Sequence, residues 1–176
     1  MSKVVNVVFA GLGGQGVLKA ADILADAAFS AGHDVKQSEV HGMSQRGGSV
    51  SSDVRYGEKV DSPMVPPGEA DFLVVLDPTQ VDNNKHRLKE GGALIEPALF
   101  LGEDYDDIED LEDDEDLPIN CRNFNIAMLG VLSAHLDIPY ELWTQAIKGN
   151  LPATAHEENL DVFAFGRKKA QEAAGR

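Results

Sequence analysis

The chain has 176 residues, of which 15 are basic and 30 acidic, for a formal net charge of −15, with 43% hydrophobic residues, 17 glycines and one cysteine. That length suits a single domain with a proper core, and the apolar fraction excludes wholesale disorder. A lone Cys121 excludes an internal disulfide or a four-thiolate iron–sulfur cluster, the charge argues against a general nucleic-acid binder, and no apolar run approaches the roughly 20 residues of a membrane span.

Residues 4–10 form a short apolar run rich in β-branched side chains that ends at glycines, and they read as a buried parallel strand. Asn6 interrupts the run, and a glycine turn follows where a signal-peptide cleavage site would stand, so a cytoplasmic protein is expected. Residues 11–16 are the turn. Val17, Ala20, Ala21, Leu24, Ala28 and Ala31 then recur at helical spacing, with Gly32 as the helix stop. A second strand covers 35–40, and 42–48 is a polar loop bearing glycines.

Residues 49–56 alternate apolar and polar, a half-buried strand expected to pair as an antiparallel hairpin with Lys59-Val60 across Gly57-Glu58. Three prolines make 62–68 a loop, and 71–76 is another buried strand. Asp77-Pro78 reads as a helix cap followed by proline at the first helical position. That helix is expected to run to about Lys89, stopped by Gly91-Gly92, with a strand at 93–96. Further along, 117–122 reads as a last strand, 125–136 and 139–148 as helices, and 155–174 as a closing helix interrupted near Gly166. Strands alternating with helices predict one α/β domain over 1–176, Rossmann-like and three-layered, with a mostly parallel sheet and an antiparallel hairpin.

The charge is uneven. Eleven of the 14 residues 103–116 are Asp or Glu, and the remainder of the chain carries 19 acids against 15 bases, a net −4. The segment lacks the glycine of an EF-hand loop and reads as a solvated insertion.

Gly11-Leu12-Gly13-Gly14-Gln15-Gly16 has the G-x-G-x-x-G spacing between a predicted strand and a predicted helix. In that context the glycines let backbone N–H groups approach an anion at the helix N-terminus, and the alternative is a ligand-free turn. A dinucleotide site also wants an acid near the end of the second strand, for which Glu39 is the candidate. Ser44, Gln45, Arg46, Gly47 and Gly48 place a fixed cation beside two permissive backbone positions, a pattern suited to phosphate or carboxylate, or simply to a surface turn. His41 is a candidate acid or base, or a residue that only shapes the turn. The other histidines have no metal-ligand spacing, and no metal site is expected. Cys121 reads as a small hydrophobe, Asn123 and Asn125 as caps of the helix that follows, and Trp143 as a packing residue.

The two glycine loops together, with Ser38-Glu39-Val40-His41-Gly42-Met43-Ser44-Gln45-Arg46-Gly47-Gly48 as the second, resemble the gamma domain of 2-oxoacid:ferredoxin oxidoreductases. The match is best to the beta subunit of the indolepyruvate enzymes. Val54-Arg55-Tyr56-Gly57, Ser62-Pro63, Ala70-Asp71, residues 123–130 and the closing Leu151-Pro152, Glu158-Asn159 and Ala164-Phe165-Gly166 extend the resemblance over nearly the whole chain. The resemblance implies a small subunit, inactive alone, of a complex that converts a 2-oxoacid (an aryl pyruvate such as indolepyruvate) and CoA to acyl-CoA and carbon dioxide while reducing ferredoxin. It implies that thiamine diphosphate, magnesium and 4Fe-4S clusters are carried by a larger partner subunit. Gly11, Gly13, Gly14, Gln15 and Gly16 would form one backbone cradle, and Ser44 to Gly48 a second element near CoA or the partner. The open alternatives are a stand-alone NAD- or flavin-binding protein and a scaffolding subunit with no ligand.

Overall fold

The computed structural model describes residues 3–42, 47–101, 108 and 117–175. Five strands carry the fold: β1 (Val5–Leu12), β2 (Asp34–His41), β3 (Ser49–Gly57), β4 (Ala70–Val75) and β5 (Leu88–Ile95), arranged in the order β2-β3-β1-β4-β5. β1 pairs parallel with β4, and β4 with β5, whereas β3 lies antiparallel between β1 and β2. Four strands therefore share one direction and β3 opposes them. The antiparallel hairpin exists, but β2 and β3 form it across the second glycine loop; Lys59-Val60 is not a strand.

Among the described residues, six helices accompany the sheet: α1 (Val17–Ser30), α2 (Val81–Asn84), α3 (Ala98–Leu101), α4 (Phe124–Ser133), α5 (Tyr140–Asn150) and α6 (His156–Ala174). The apolar stripe of α1, including Val17, Ala21, Leu24 and Ala28, packs on the face of the sheet that carries Val7, Phe9, Val54 and Val74. Helix α4 is buried along all ten residues, as a helix apolar nearly all round must be, and is covered by α6. Trp143 of α5 is fully buried, 5.8 Å ring to ring from Phe163. The opposite face is a third layer of loop and short turns. There Val8, Leu73 and Val75 meet Val65 and Val81 in a smaller cluster.

A polar network pins that loop layer to the sheet. Arg87 donates to both oxygens of Asp53 at 2.8 and 2.7 Å, and Asp53 also accepts the Val65 N–H at 2.9 Å. Arg55 donates to Asn6 Oδ1 and to the Ser62 carbonyl, both at 2.8 Å, while Asn6 donates to the Glu69 carbonyl. Backbone carbonyls of an irregular segment thus find donors without a ladder.

Four further expectations are corrected. The helix expected from Asp77 to Lys89 breaks into a 3₁₀ turn at Pro78–Gln80, the four residues of α2, and a second turn at Lys85–Arg87. Asn83 and Asn84 donate their side-chain amides to the Thr79 and Gln80 carbonyls, a local competition with the helix. Gly91-Gly92 does not stop a helix but makes a bulge inside β5: the register jumps from Ala70 opposite Leu88 to Phe72 opposite Ala93, with Gly91 at φ +77°. Residues 117–122 are not a strand, because Asn120 accepts the N–H groups of Arg122 and Asn123, and Asn123 accepts that of Asn120, curling the chain into a turn. Finally, α6 runs through Gly166 without interruption.

The acidic stretch 103–116 lies outside the described residues except for Ile108. That side chain is buried and belongs to the main core.

Candidate functional site

The chain leaves β1 at Leu12 and turns through Gly13 to Gly16 into α1. Gly14 and Gly16 have φ of +93° and +80°, the left-handed region that favours glycine. A Cβ on Gly16 would lie 2.4 Å from Asn125 Nδ2, an amide that donates to the Gly16 carbonyl at 3.2 Å. Asn125 therefore reaches back from α4 to hold the turn, and also accepts the Ile126 N–H at its own helix start. Asn123 does not cap α4 with its side chain; it donates to Glu158 of α6 at 2.8 Å.

Gln15 is a strut. Its Oε1 accepts the Leu12 N–H at 2.8 Å and its Nε2 donates to Asp77 Oδ2 at 2.6 Å, while Asp77 also accepts the Thr79 N–H at 2.9 Å. Asp77 is thus the turn cap expected from Asp77-Pro78, with a second duty toward the glycine loop. Gln15→Leu should strand Asp77 Oδ2 and the Leu12 amide, at a cost of about 1–3 kcal/mol. Amide exchange at Leu12 should quicken in that variant, and unchanged protection there would refute the strut.

The two glycine loops are joined, since the Gly13 N–H donates to the Gly48 carbonyl at 2.9 Å. Not every amide of the cradle is therefore open to a ligand: Gly13 is engaged by Gly48 and Gln15 by the Leu12 carbonyl, whereas those of Gly14 and Gly16 are not so used among the described residues. Gly11 lies behind the cradle, where a Cβ would meet Val17 Cγ2 at 2.8 Å; it lets α1 pack against β1. Ser44, Gln45 and Arg46 lie outside the described residues.

Two cavities flank this turn. One, of about 410 Å³, is walled by Gly13, Gly14, Gln15, Gly47, Asp77, Ile108, Cys121 and Arg122. The other, of about 540 Å³, lies over the first turn of α1 and is walled by Gly16, Lys19, Asn120, Arg122, Asn125 and Glu158, among others. Arg122 is common to both. No acidic side chain stands in the first turn of α1, so its positive end faces the second cavity with Lys19 and Arg122 beside it.

Sequence reasoning missed Lys19 and Arg122. Lys19 was findable, three residues after Gly16 and hence on the first helical turn. Arg122 was not, because 117–122 read as a strand and only the asparagine turn brings its side chain here.

His41 lines neither cavity; it is more than half exposed, 3.6 Å from the Glu39 carboxylate. Glu39 is also misplaced for a ribose. In a dinucleotide fold the second strand lies beside the first, but here β3 separates them, so Glu39 is two strand spacings, roughly 10 Å, from β1. Among the described residues, no cluster of three or more His, Cys, Asp or Glu is placed to hold a metal ion, and no helix is long and apolar enough to cross a membrane.

A strand–glycine turn–helix unit, cross-bonded to a second glycine turn on a mixed five-stranded sheet, defines a Rossmann-like class of domain. The chain belongs to the pyruvate ferredoxin/flavodoxin oxidoreductase family, whose model matches residues 6–169. It is similar to the indolepyruvate oxidoreductase subunit IorB of Thermococcus kodakarensis, 34% identical over 97% of this chain and 98% of that one. The IorB subunit of Pyrococcus horikoshii is also 34% identical, over 95% and 96%. Among solved structures, the gamma subunit of a keto/oxoacid ferredoxin oxidoreductase from Geobacter sulfurreducens superposes with a TM-score of 0.76 at 26% identity, covering 96% of this chain and 99% of that one.

Proposed function

We propose that this chain is the small subunit of a 2-oxoacid:ferredoxin oxidoreductase whose substrate is an aryl pyruvate such as indolepyruvate. The observation that carries the reading is similarity to two IorB subunits over at least 95% of each chain. In this reading the complex cleaves the carboxylate of the 2-oxoacid as carbon dioxide, joins the acyl group to the CoA thiol, and passes the two electrons released to ferredoxin. Thiamine diphosphate with magnesium, which supplies the decarboxylation chemistry, and the 4Fe-4S clusters belong to a larger partner subunit; one cysteine here cannot hold a cluster.

The part played by this chain is to bind and orient. Its cradle suits the phosphates of CoA: free amides at Gly14 and Gly16, the positive end of α1, and Lys19 and Arg122 on either side of the turn. Arg46, Gln45 and Ser44 would add a second contact from the adjoining loop, and Gly47 and Gly48 shape it. Gln15 and Gly11 hold the cradle rather than touch the ligand. The position of Glu39 disfavours the stand-alone dinucleotide reading.

Co-expression with the large subunit tests both levels. The purified complex should reduce ferredoxin with indolepyruvate in a CoA-dependent manner, and the small chain alone should not. Arg122→Ala and Arg46→Ala should each raise the KM for CoA by about tenfold, the worth of one charge-assisted hydrogen bond, and leave the KM for the 2-oxoacid in place. Unchanged CoA constants in both variants would remove CoA from this chain, and tight NADH binding by the small chain alone would replace the whole reading.

A further inference from the structure

A third cavity, of about 480 Å³, lies away from the glycine loops, where the start of β4 and the bulge of β5 meet the ends of α1 and α4. Its wall combines an apolar floor of Val5, Phe72 and Leu136 with an unusual density of ionisable groups: Lys3, His33, Tyr56, Asp71, Lys89, His135 and Asp137. Asp71 is already satisfied, by the Asn6 N–H at 2.8 Å and by the Lys89 ammonium. Lys3 and Asp137, both exposed at the rim of the same space, form no ion pair or hydrogen bond among the described residues.

Tyr56 makes this more than a dimple with surface charges. Its side chain is buried, with 4% of the residue exposed, and its ring packs against His33 at 5.1 Å. A buried tyrosine ordinarily gives its hydroxyl a partner. This hydroxyl makes no hydrogen bond with the described residues and is not among the atoms sealed from solvent, so it opens onto the cavity. Burial, and after it the negative charges of Asp71 and Asp137, hold its proton on well above the ordinary range, so at neutral pH it is a donor seeking an acceptor.

We propose that this cavity binds a free α-amino acid with an apolar or aromatic side chain. The ammonium of such a ligand would meet Asp137, its carboxylate would accept from Tyr56 and face Lys3, and its side chain would lie on Val5, Phe72 and Leu136. A zwitterion answers both unpaired charges at once. A simple anion would bring no ammonium to offset Asp71 and Asp137, and a simple cation would leave the buried Tyr56 donor without an acceptor.

The proposal is independent of the CoA reading and is tested on the full chain by calorimetry and thermal shift with L-phenylalanine, phenylpyruvate and phenethylamine. L-phenylalanine should bind, and the two analogues, each lacking one charge, should bind at least about tenfold more weakly. Tyr56→Phe and Asp137→Asn should each weaken L-phenylalanine by a similar factor while melting close to the parent chain. Equal binding of either analogue, no binding of L-phenylalanine at millimolar concentration, or indifference to both substitutions would each overturn it.

Discussion

Gly166→Ala is expected to cost about 3 kcal/mol or more, lowering the melting temperature by roughly 6–12 °C for a domain of this size. A Cβ at Gly166 would lie 2.0 Å from the Ala127 carbonyl oxygen, and one at Gly130 would lie 2.3 Å from that of Phe163. In both cases the obstacle is backbone of the facing helix. It cannot swing away like the end of a side chain, so α4 and α6 would have to separate and open the core between them. Gly149→Ala on α5 is the matched control, because nothing lies within 4 Å of its Cβ position. There the same substitution should stabilise by about 0.5–1 kcal/mol through helix propensity alone. If Gly166→Ala melts within about 2 °C of the parent chain, the tight crossing is wrong.

The second large effect is expected at Asp53. Its carboxylate is 6% exposed and the Arg87 side chain 17%, and one guanidinium nitrogen, Nη2, reaches both carboxylate oxygens. Asp53→Ala would leave a largely buried guanidinium and the Val65 N–H without partners, a loss of about 3–5 kcal/mol, toward the lower figure because Arg87 keeps some water. Urea denaturation should show that loss, and Asp53→Ala/Arg87→Met should be less destabilised than the two single changes added together. Amide exchange should rise first in 62–69, the segment that Asp53 and Arg55 tie to the sheet. Strict additivity would mean that the pair is solvated and contributes little.

These sites differ in how far they could be read in advance. The strand–glycine–helix unit was legible because local rules act within a few residues: an apolar run, positions needing positive φ, then apolar side chains every three or four. The stop at Gly32 and the cap at Asp77 follow from the same chemistry and are where the pattern placed them. The helix read across 78–89 fails because its asparagines bond to nearby carbonyls and a strand claims Leu88 onward. Periodicity alone cannot weigh a local hydrogen bond against a ladder to β4. Gly91-Gly92 and Gly166 look identical to helix breakers in the sequence, yet one pair makes a bulge and the other residue makes room for a crossing helix.

By itself, then, the sequence determined an α/β domain opened by a strand–glycine turn–helix unit, without the cysteines for a cluster, and with its charge gathered into 103–116 around an otherwise nearly neutral body. Its resemblances carried the family. Only the tertiary structure decided that β3 inserts between β1 and β2 and carries Glu39 away from the turn. Only it showed that Gln15 and Asp77 brace the turn, and that Arg122 borders both cavities beside it. Turns and strands depend on neighbours in the chain, whose spacing is written in the sequence. A binding site depends on which distant segments share a strand edge or a loop crossing, and that is settled by packing the whole sheet.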